Sequence, residues 1–495
     1  MNQIKTYLMM GGCLLAMALT TACDDRLSAL PSQSKVDDNL IVDQKSAEYA
    51  LNGIYYMYAQ CGTDYYDVLS TGCTYTQEIY PANFAGAIVY YQGAYMLENH
   101  DQTADNSTVL NLWSTFYSQL AAANGVLKQM EAAPDDWFSG DRKAEIMGEA
   151  RFLRALVHYQ LLRWFAWYWD IDSPYGVLLR TEPVLAGSIA KDRSTVKDSY
   201  DCILNDLEYA ITHMAAENPN HYANVWVAKG LKARVLMMRG QGTDYADAAA
   251  LAQDIIDHGP YELESNVQDI FYVKGLESRE VMFGIQPKDN QTDVLEAYYY
   301  RQVPNFYPTT KLDSIFGLIP GDTRKEWLFP QVKLSQSQAD IDAGKEPKYA
   351  TLICKHMPAD NPVATTVEES QYQMRLTEMY LLRAEALVRS GGDRGEAGRL
   401  LKEVLSHAGV TDFTRVEEAA TDEALLTEIF YETLRNLFCE SGRELEIMMR
   451  MPEAVVLDFN PIYKTGRDYA VFPIPADEFK NNTALKEQNP GYTKV

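Results

Sequence analysis

The sequence predicts a mostly α-helical protein: a tetratricopeptide-like scaffold of helical hairpins carrying long irregular loops and a few short strands. Three observations lead there. Apolar residues recur at three- and four-residue steps over several long segments, the period of a helix with one buried face. Two helix–turn–helix stretches echo one another, with small residues at matching places. Between the periodic segments lie two long tyrosine-rich stretches in which no period holds.

The first helix is expected over 46–60, with Ala47, Ala50, Leu51, Ile54 and Met57 on one stripe. From 61 to 106 Gly, Thr, Asp and Tyr dominate, which predicts an ordered excursion rather than a scaffold element. Residues 107–132 return to helix through Leu110, Trp113, Phe116, Leu120, Ala123 and Leu127. The longest helix is expected over 142–169, from Ile146 through Leu153 and Leu161 to Tyr168, before Pro174-Tyr175-Gly176 turns the chain. Helices over 196–215 and 225–239 follow, and another begins at Tyr245. Residues 260–372 are again aperiodic, apart from a strand-like piece at 281–285. The remaining helices fall around Ala384, over 396–405 and over 423–449.

The echo joins the helix containing Ala233 to one starting at Tyr245, and the helix containing Ala384 to one starting near Glu396. Ala233 precedes Ala246 by the same interval as Ala384 precedes Ala397. Small residues at fixed intervals let paired helices approach closely, the physical basis of such repeats. Two units are too few to stand alone, so 144–169 and 423–449 are expected to complete the stack. Trp113, Phe116, Phe152, Trp164, Tyr380 and Phe438 keep helical spacing and are assigned to the core. Arg151, Arg154, Arg375, Arg383 and Glu385 are assigned to ion pairs between helices.

Formal net charge is −25 over 495 residues, with 44 Lys and Arg against 69 Asp and Glu. That balance argues against nucleic acid, whose phosphates need cationic neutralisation, and against an acidic lipid surface. Motifs for catalysis are missing: there is no HExxH, GxSxG, P-loop or GxGxxG. The 7 histidines are scattered, so no metal set and no cofactor is read from their spacing, and the chain is read as a non-enzyme. Tyrosine is the unusual residue, 33 in all. It offers a broad apolar face with a polar tip, suited to a wet binding surface. In the first excursion Tyr65, Tyr66, Tyr75, Tyr80, Tyr90, Tyr91 and Tyr95 are the candidates, with Asn83, Gln92 and Asn99 as polar partners. In the second they are Tyr298, Tyr299, Tyr300, Phe306, Tyr307 and Trp327, with Arg301 and Asn305.

The N-terminus carries one charge, Lys5, then an apolar stretch from Tyr7 to Leu19 and the small residues Thr20-Thr21-Ala22. This pattern describes a secretory signal, too short for a membrane span of about 20 apolar residues. Cys23 stands directly after the cleavage point and is read as the lipidated residue of an anchored protein. Residues 1–22 are therefore the signal peptide, 23–40 a tether, and 41–495 one domain with halves at 41–258 and 259–495. Of the remaining cysteines, Cys61 and Cys73 could bridge a loop or stay as free thiols; the sequence leaves both open.

These pieces resemble, in order along nearly the whole chain, the SusD/RagB-like nutrient-binding outer-membrane lipoproteins of Bacteroidetes-type bacteria. The resemblance is carried by the lipoprotein cysteine, Leu51-Asn-Gly-Ile-Tyr55, 113–124, Gly148-Glu-Ala-Arg-Phe-Leu-Arg-Ala-Leu156 and Ala228-Lys-Gly-Leu-Lys-Ala-Arg234. It continues through 375–387, 435–443, Phe472-Pro-Ile-Pro475 and Gln488-Asn-Pro-Gly-Tyr492. One departure is local: the aromatic run 164–169 replaces a Phe-Gly turn usual in the family. The resemblance implies four tetratricopeptide-like units and an irregular ligand face. It implies capture of oligosaccharide, or in some members peptide, and delivery to a SusC-like TonB-dependent transporter at the outer membrane. Asp24-Asp25 after the cysteine resemble the family's surface-export signal. A secreted α-helical-barrel glycosidase is the enzymatic rival.

Overall fold

The computed structural model describes residues 40–59, 74–91, 97–286, 305–333, 337–356, 370–463 and 469–494. Helix dominates, as the periodicity predicts. The first half holds α1 (Gln44–Ala59), α2 (Tyr80–Ala85), α3 (Ser107–Ala132), α4 (Arg142–Phe165), α5 (Val196–His213), α6 (Val225–Arg239) and α7 (Asp244–His258). The second holds α8 (Thr310–Phe316), α9 (Arg324–Leu328), α10 (Leu376–Arg389), α11 (Arg394–His407), α12 (Asp422–Leu437), α13 (Arg443–Met448), α14 (Glu453–Phe459) and α15 (Ala476–Asn481). Three two-stranded antiparallel ribbons complete the described part: β1 (Ile88–Tyr90) with β3 (Phe306–Pro308), β2 (Val281–Ile285) with β6 (Gln371–Arg375), and β4 (Gln331–Lys333) with β5 (Tyr349–Thr351).

Consecutive helices pack as hairpins, α4 on α5, α6 on α7, α10 on α11 and α12 on α13, and the hairpins stack through α5 on α6, α7 on α10 and α10 on α12. Start signals are local. Asn106, Thr195, Asn224 and Asp393 each accept a backbone N–H of the first turn, satisfying donors that a helix start leaves open. The echo holds in its loops, since α6–α7 and α10–α11 are each joined by four residues. It fails at one alanine. Ala233, Ala384 and Ala397 are buried, but Ala246 is exposed, and Ala248 and Ala249 face the neighbouring helix instead.

Two expected helices end early, for reasons far away in the sequence. The helix expected to 169 stops at Phe165, and Ala166 is extended. The freed carbonyls are taken from elsewhere: Trp164 O by the N–H of Phe472 at 2.6 Å, and Phe165 O by Asn489 at 3.0 Å and Arg193 at 3.1 Å. The helix expected over 423–449 breaks after Leu437, where Cys439, Ser441 and Gly442 take positive φ. Lys355 and Arg375 donate into this break, to Asn436 O at 3.1 and 2.9 Å, and Lys355 also to Phe438 O at 2.8 Å. Gly442 is required there, since a Cβ would lie 2.7 Å from Arg163 and 2.9 Å from Pro81.

The predicted core aromatics Trp113, Phe116, Phe152, Trp164 and Phe438 are buried, and Tyr380 packs half-buried against the same core. The predicted ion pairs form as well. Arg154 grips Asp206, Arg383 meets Glu396, and Glu385 receives Arg389 and Arg450. Arg375 stands wholly buried between Glu280 and Glu440, with Lys355 on the same Glu440.

Candidate functional site

The two excursions meet. Strand β1 comes from the first and β3 from the second, with Ile88 opposite Pro308, Val89 opposite Tyr307 and Tyr90 opposite Phe306. The pairing continues outward, where the N–H of Tyr91 donates to Asn305 O at 2.9 Å. Alternation along the ribbon turns Ile88 and Phe306 into the core and leaves Val89 and Tyr307 only partly covered. Tyr90 lies 5.5 Å from Phe306 and 4.9 Å from Tyr91, ring to ring, and Tyr91 keeps 42% of its surface exposed. Burial pushes the Tyr307 phenol up, so it stays a neutral donor.

Two candidates of this excursion belong to the core instead. Residues 74–85, expected to be irregular, form a π-helical turn (Thr74–Ile79) leading into α2, whose residues are all buried. Tyr80 is only 8% exposed, and Asn83 is fully enclosed. The Asn83 amide donates to Ile88 O at 3.1 Å and to Glu98 at 3.0 Å, and Glu98 also accepts the N–H of Tyr90. Asn83 therefore holds the ribbon in place rather than offering itself to a ligand. The segment 80–85 shows no periodicity because every face of it is covered.

An aromatic concavity of about 260 Å³ opens where the first excursion leaves α1, beside the end of β2. Its walls are Asn52, Tyr55, Tyr56, Tyr58 and Ala59 of α1, His221 and Tyr222 before α6, and Phe283 to Gln286 at the end of β2. Ala59 is the last described residue before 60–73, and Gln286 the last before 287–304. Tyr55 and Tyr222 meet edge to face at 4.9 Å, and Tyr58 stacks on Phe283 at 6.2 Å. Hydrogen bonds fix the inner rings. Tyr55 donates to Glu149 at 2.9 Å and accepts the N–H of Ala223 at 3.0 Å, while Tyr58 donates to Gln373 at 2.7 Å. Burial, and then the Glu149 carboxylate, hold the Tyr55 phenol well above its ordinary range. Tyr56 stands at the rim, 56% exposed. Burial also lowers the His221 imidazole, leaving it neutral.

These tyrosines were missed because they sit in a helix. The signal was available: Tyr56 lies off the apolar stripe of Ala47, Ala50, Leu51 and Ile54, where a scaffold helix needs no ring. Trp327, a candidate from the second excursion, lies on α9 against Phe271 at 6.2 Å and Tyr272 at 5.6 Å, half-covered. Asn99 is exposed near the ribbon. Tyr65, Tyr66, Gln92, Tyr95, Tyr298, Tyr299, Tyr300 and Arg301, with Cys23, Cys61 and Cys73, lie outside the described residues, as does the side chain of Tyr75.

Two family models match the chain. One, described as starch-binding and associating with the outer membrane, covers residues 33–237; the other, the SusD family, covers 330–492. The chain belongs to the SusD/RagB-like family. A SusD-like protein of Bacteroides ovatus is 27% identical over 192 residues, 37% of this chain. The match spans only about a third of that relative, 34% of its length. Solved SusD structures agree over far more. A SusD superfamily protein of Bacteroides thetaiotaomicron superposes with a TM-score of 0.70 at 21% identity, over 91% of this chain and 100% of its own. A structure described as a putative sugar-binding protein of Bacteroides vulgatus gives 0.68 at 20% identity, over 92% and 100%. At these identities the likeness establishes the SusD fold. Among the described residues, no helix is long and apolar enough to cross a membrane.

Proposed function

We propose that this SusD-like protein is a cell-surface lipoprotein that captures oligosaccharide and hands it, unaltered, to a SusC-like TonB-dependent transporter. The observation that carries the reading is the convergence of tyrosines where the excursions leave the scaffold and where they pair again. Flat apolar sugar faces stack on such rings, while Asn52, Asn305 and the phenol tips supply hydrogen bonds to hydroxyls. A ring face burying about 100 Å² jointly with a sugar gains roughly 2.5 kcal/mol gross. Association consumes several kcal/mol of that, so two or three contacts give dissociation constants in roughly the micromolar-to-millimolar range. Weak capture suits a carrier that must let go. The starch-binding description of the matching family model and the sugar-binding description of the Bacteroides vulgatus structure favour glycan over the peptide alternative.

Calorimetry against a panel of neutral oligosaccharides and peptides tests the reading. Tyr56→Ala and Tyr91→Ala are expected to weaken glycan binding by tenfold or more while the melting transition stays put. Unchanged affinity in both variants removes the site, and new reducing ends on incubation remove the carrier role in favour of a hydrolase. Cys23→Ser is expected to release the protein from membranes and to lower its recovery with an outer-membrane barrel.

A further inference from the structure

The hairpin α4–α5 brings together three side chains that capture of a nutrient does not use. Cys202 and Asp206 lie one turn apart on α5, so both face the same neighbour. His158 reaches them from α4, and one donor atom from each residue falls within 4.8 Å of the other two. His158 is completely buried, yet neither ring nitrogen makes a well-formed hydrogen bond among the described residues. The Arg154 carbonyl, one turn back, interacts weakly with one ring N–H, which leaves the other nitrogen open. A buried ring nitrogen left without a partner costs about 1–3 kcal/mol, so the arrangement has a place for one.

We propose that His158, Cys202 and Asp206 bind a thiophilic divalent transition-metal ion, with zinc the best fit. A sulfur, a nitrogen and an oxygen donor match borderline-soft metals and disfavour calcium and magnesium, which take oxygen alone. Tetrahedral zinc bonds of about 2.0–2.3 Å put donors roughly 3.5 Å apart, a contraction that small side-chain rotations supply. An imidazole is largely neutral at pH 7 and offers a ring lone pair to a metal. On binding, the Cys202 thiol releases its proton to solvent. The thiolate and the Asp206 carboxylate then balance the ion's charge.

Asp206 is already oriented for this. Arg154 donates to both of its oxygens at 2.7 Å and is itself fixed by Asn124 at 3.0 Å and the Thr181 carbonyl at 2.9 Å. A carboxylate has about four lone-pair directions, and Arg154 uses two. Arg151 makes only a 3.5 Å contact to the same group, with its guanidinium over the Tyr209 ring at 4.3 Å, so it can yield. Arg154 then acts as the outer partner that aims a ligating carboxylate. Cys202 is partly exposed, which leaves a route in from the surface and a fourth position for water. A bound ion would clamp α4 to α5.

The test uses the mature chain, reduced, with cobalt(II) as probe. One equivalent is expected to bind with thiolate-to-cobalt charge-transfer absorption, and added zinc is expected to displace it and slow thiol labelling of Cys202. Cys202→Ser is expected to abolish the absorption, Cys354→Ser to leave it intact, and His158→Gln to weaken binding at least tenfold. No charge transfer in the unaltered protein overturns the site without any variant having to fold. Its persistence in Cys202→Ser, or unchanged affinity in His158→Gln, overturns it as well.

Discussion

At the residue scale the interior is governed by charges that are paired before they are buried. Arg375 illustrates the rule: wholly buried, it bonds Glu280, Glu440 and the Asn436 carbonyl. Removing one member of such a set leaves its partners charged and dry, at a cost of about 3–5 kcal/mol. Arg375→Met is expected to lower stability by that amount, read as a fall in the urea midpoint with unchanged slope. Glu444 is the counter-case. It is fully buried, neither carboxylate oxygen has a partner among the described residues, and burial pushes it up to about 8. Because its folded value lies above the unfolded one, the folded chain holds a proton that the unfolded chain releases. Stability therefore falls as pH rises from about 4.5 to 8, by about 1.4 kcal/mol per unit at most. Glu444→Gln is expected to flatten that decline, raising the melting temperature at pH 8 and changing little near pH 4.5. Equal effects at both pH values would refute the assignment.

At the element scale, helix starts are written locally, whereas some helix ends are not. Asn224 caps α6 by accepting the N–H groups of Trp226 and Val227 at 3.0 and 3.1 Å, and it donates to the Tyr261 hydroxyl at 2.8 Å. Asn224→Ala is expected to cost about 1–2 kcal/mol, since cap and cross-link go together; thermal denaturation measures it. The helix Val225–Arg239 was legible to the residue because Asn stands before it and Gly240 after. The end of α4 was not legible, since Phe472, Asn489 and Arg193 supply its stop from distant parts of the chain. The same limit applies to the candidate site. Tyr91 and Tyr307 could be read as excursion tyrosines, but α2 looked irregular because it is buried on every side. The tyrosines of α1 were hidden because helical spacing argues for packing and says nothing of what a ring at the rim touches.

At the scale of the whole molecule, a net charge of −25 constrains what the proposed capture site can hold. A neutral glycan held by stacking releases no counterions, so its affinity is expected to change less than twofold between 50 and 500 mM salt, whereas a polyanionic glycan is repelled at low salt. Titration calorimetry across that range checks both. A steep salt dependence for the captured glycan would point to charge recognition and against ring stacking.

The ribbon of β1 and β3 ties together residues as far as 223 positions apart, through the hydroxyl of Thr309 on the Gly86 carbonyl. Closing so large a loop is slow compared with forming neighbouring hairpins. The seam between the two excursions is thus expected to assemble after the helical hairpins, and hydrogen-exchange labelling during refolding would show it protected last. In the proposed capture role, a partly folded chain would present the rings of α1 without the paired ribbon, so binding would be gained only when the fold is complete.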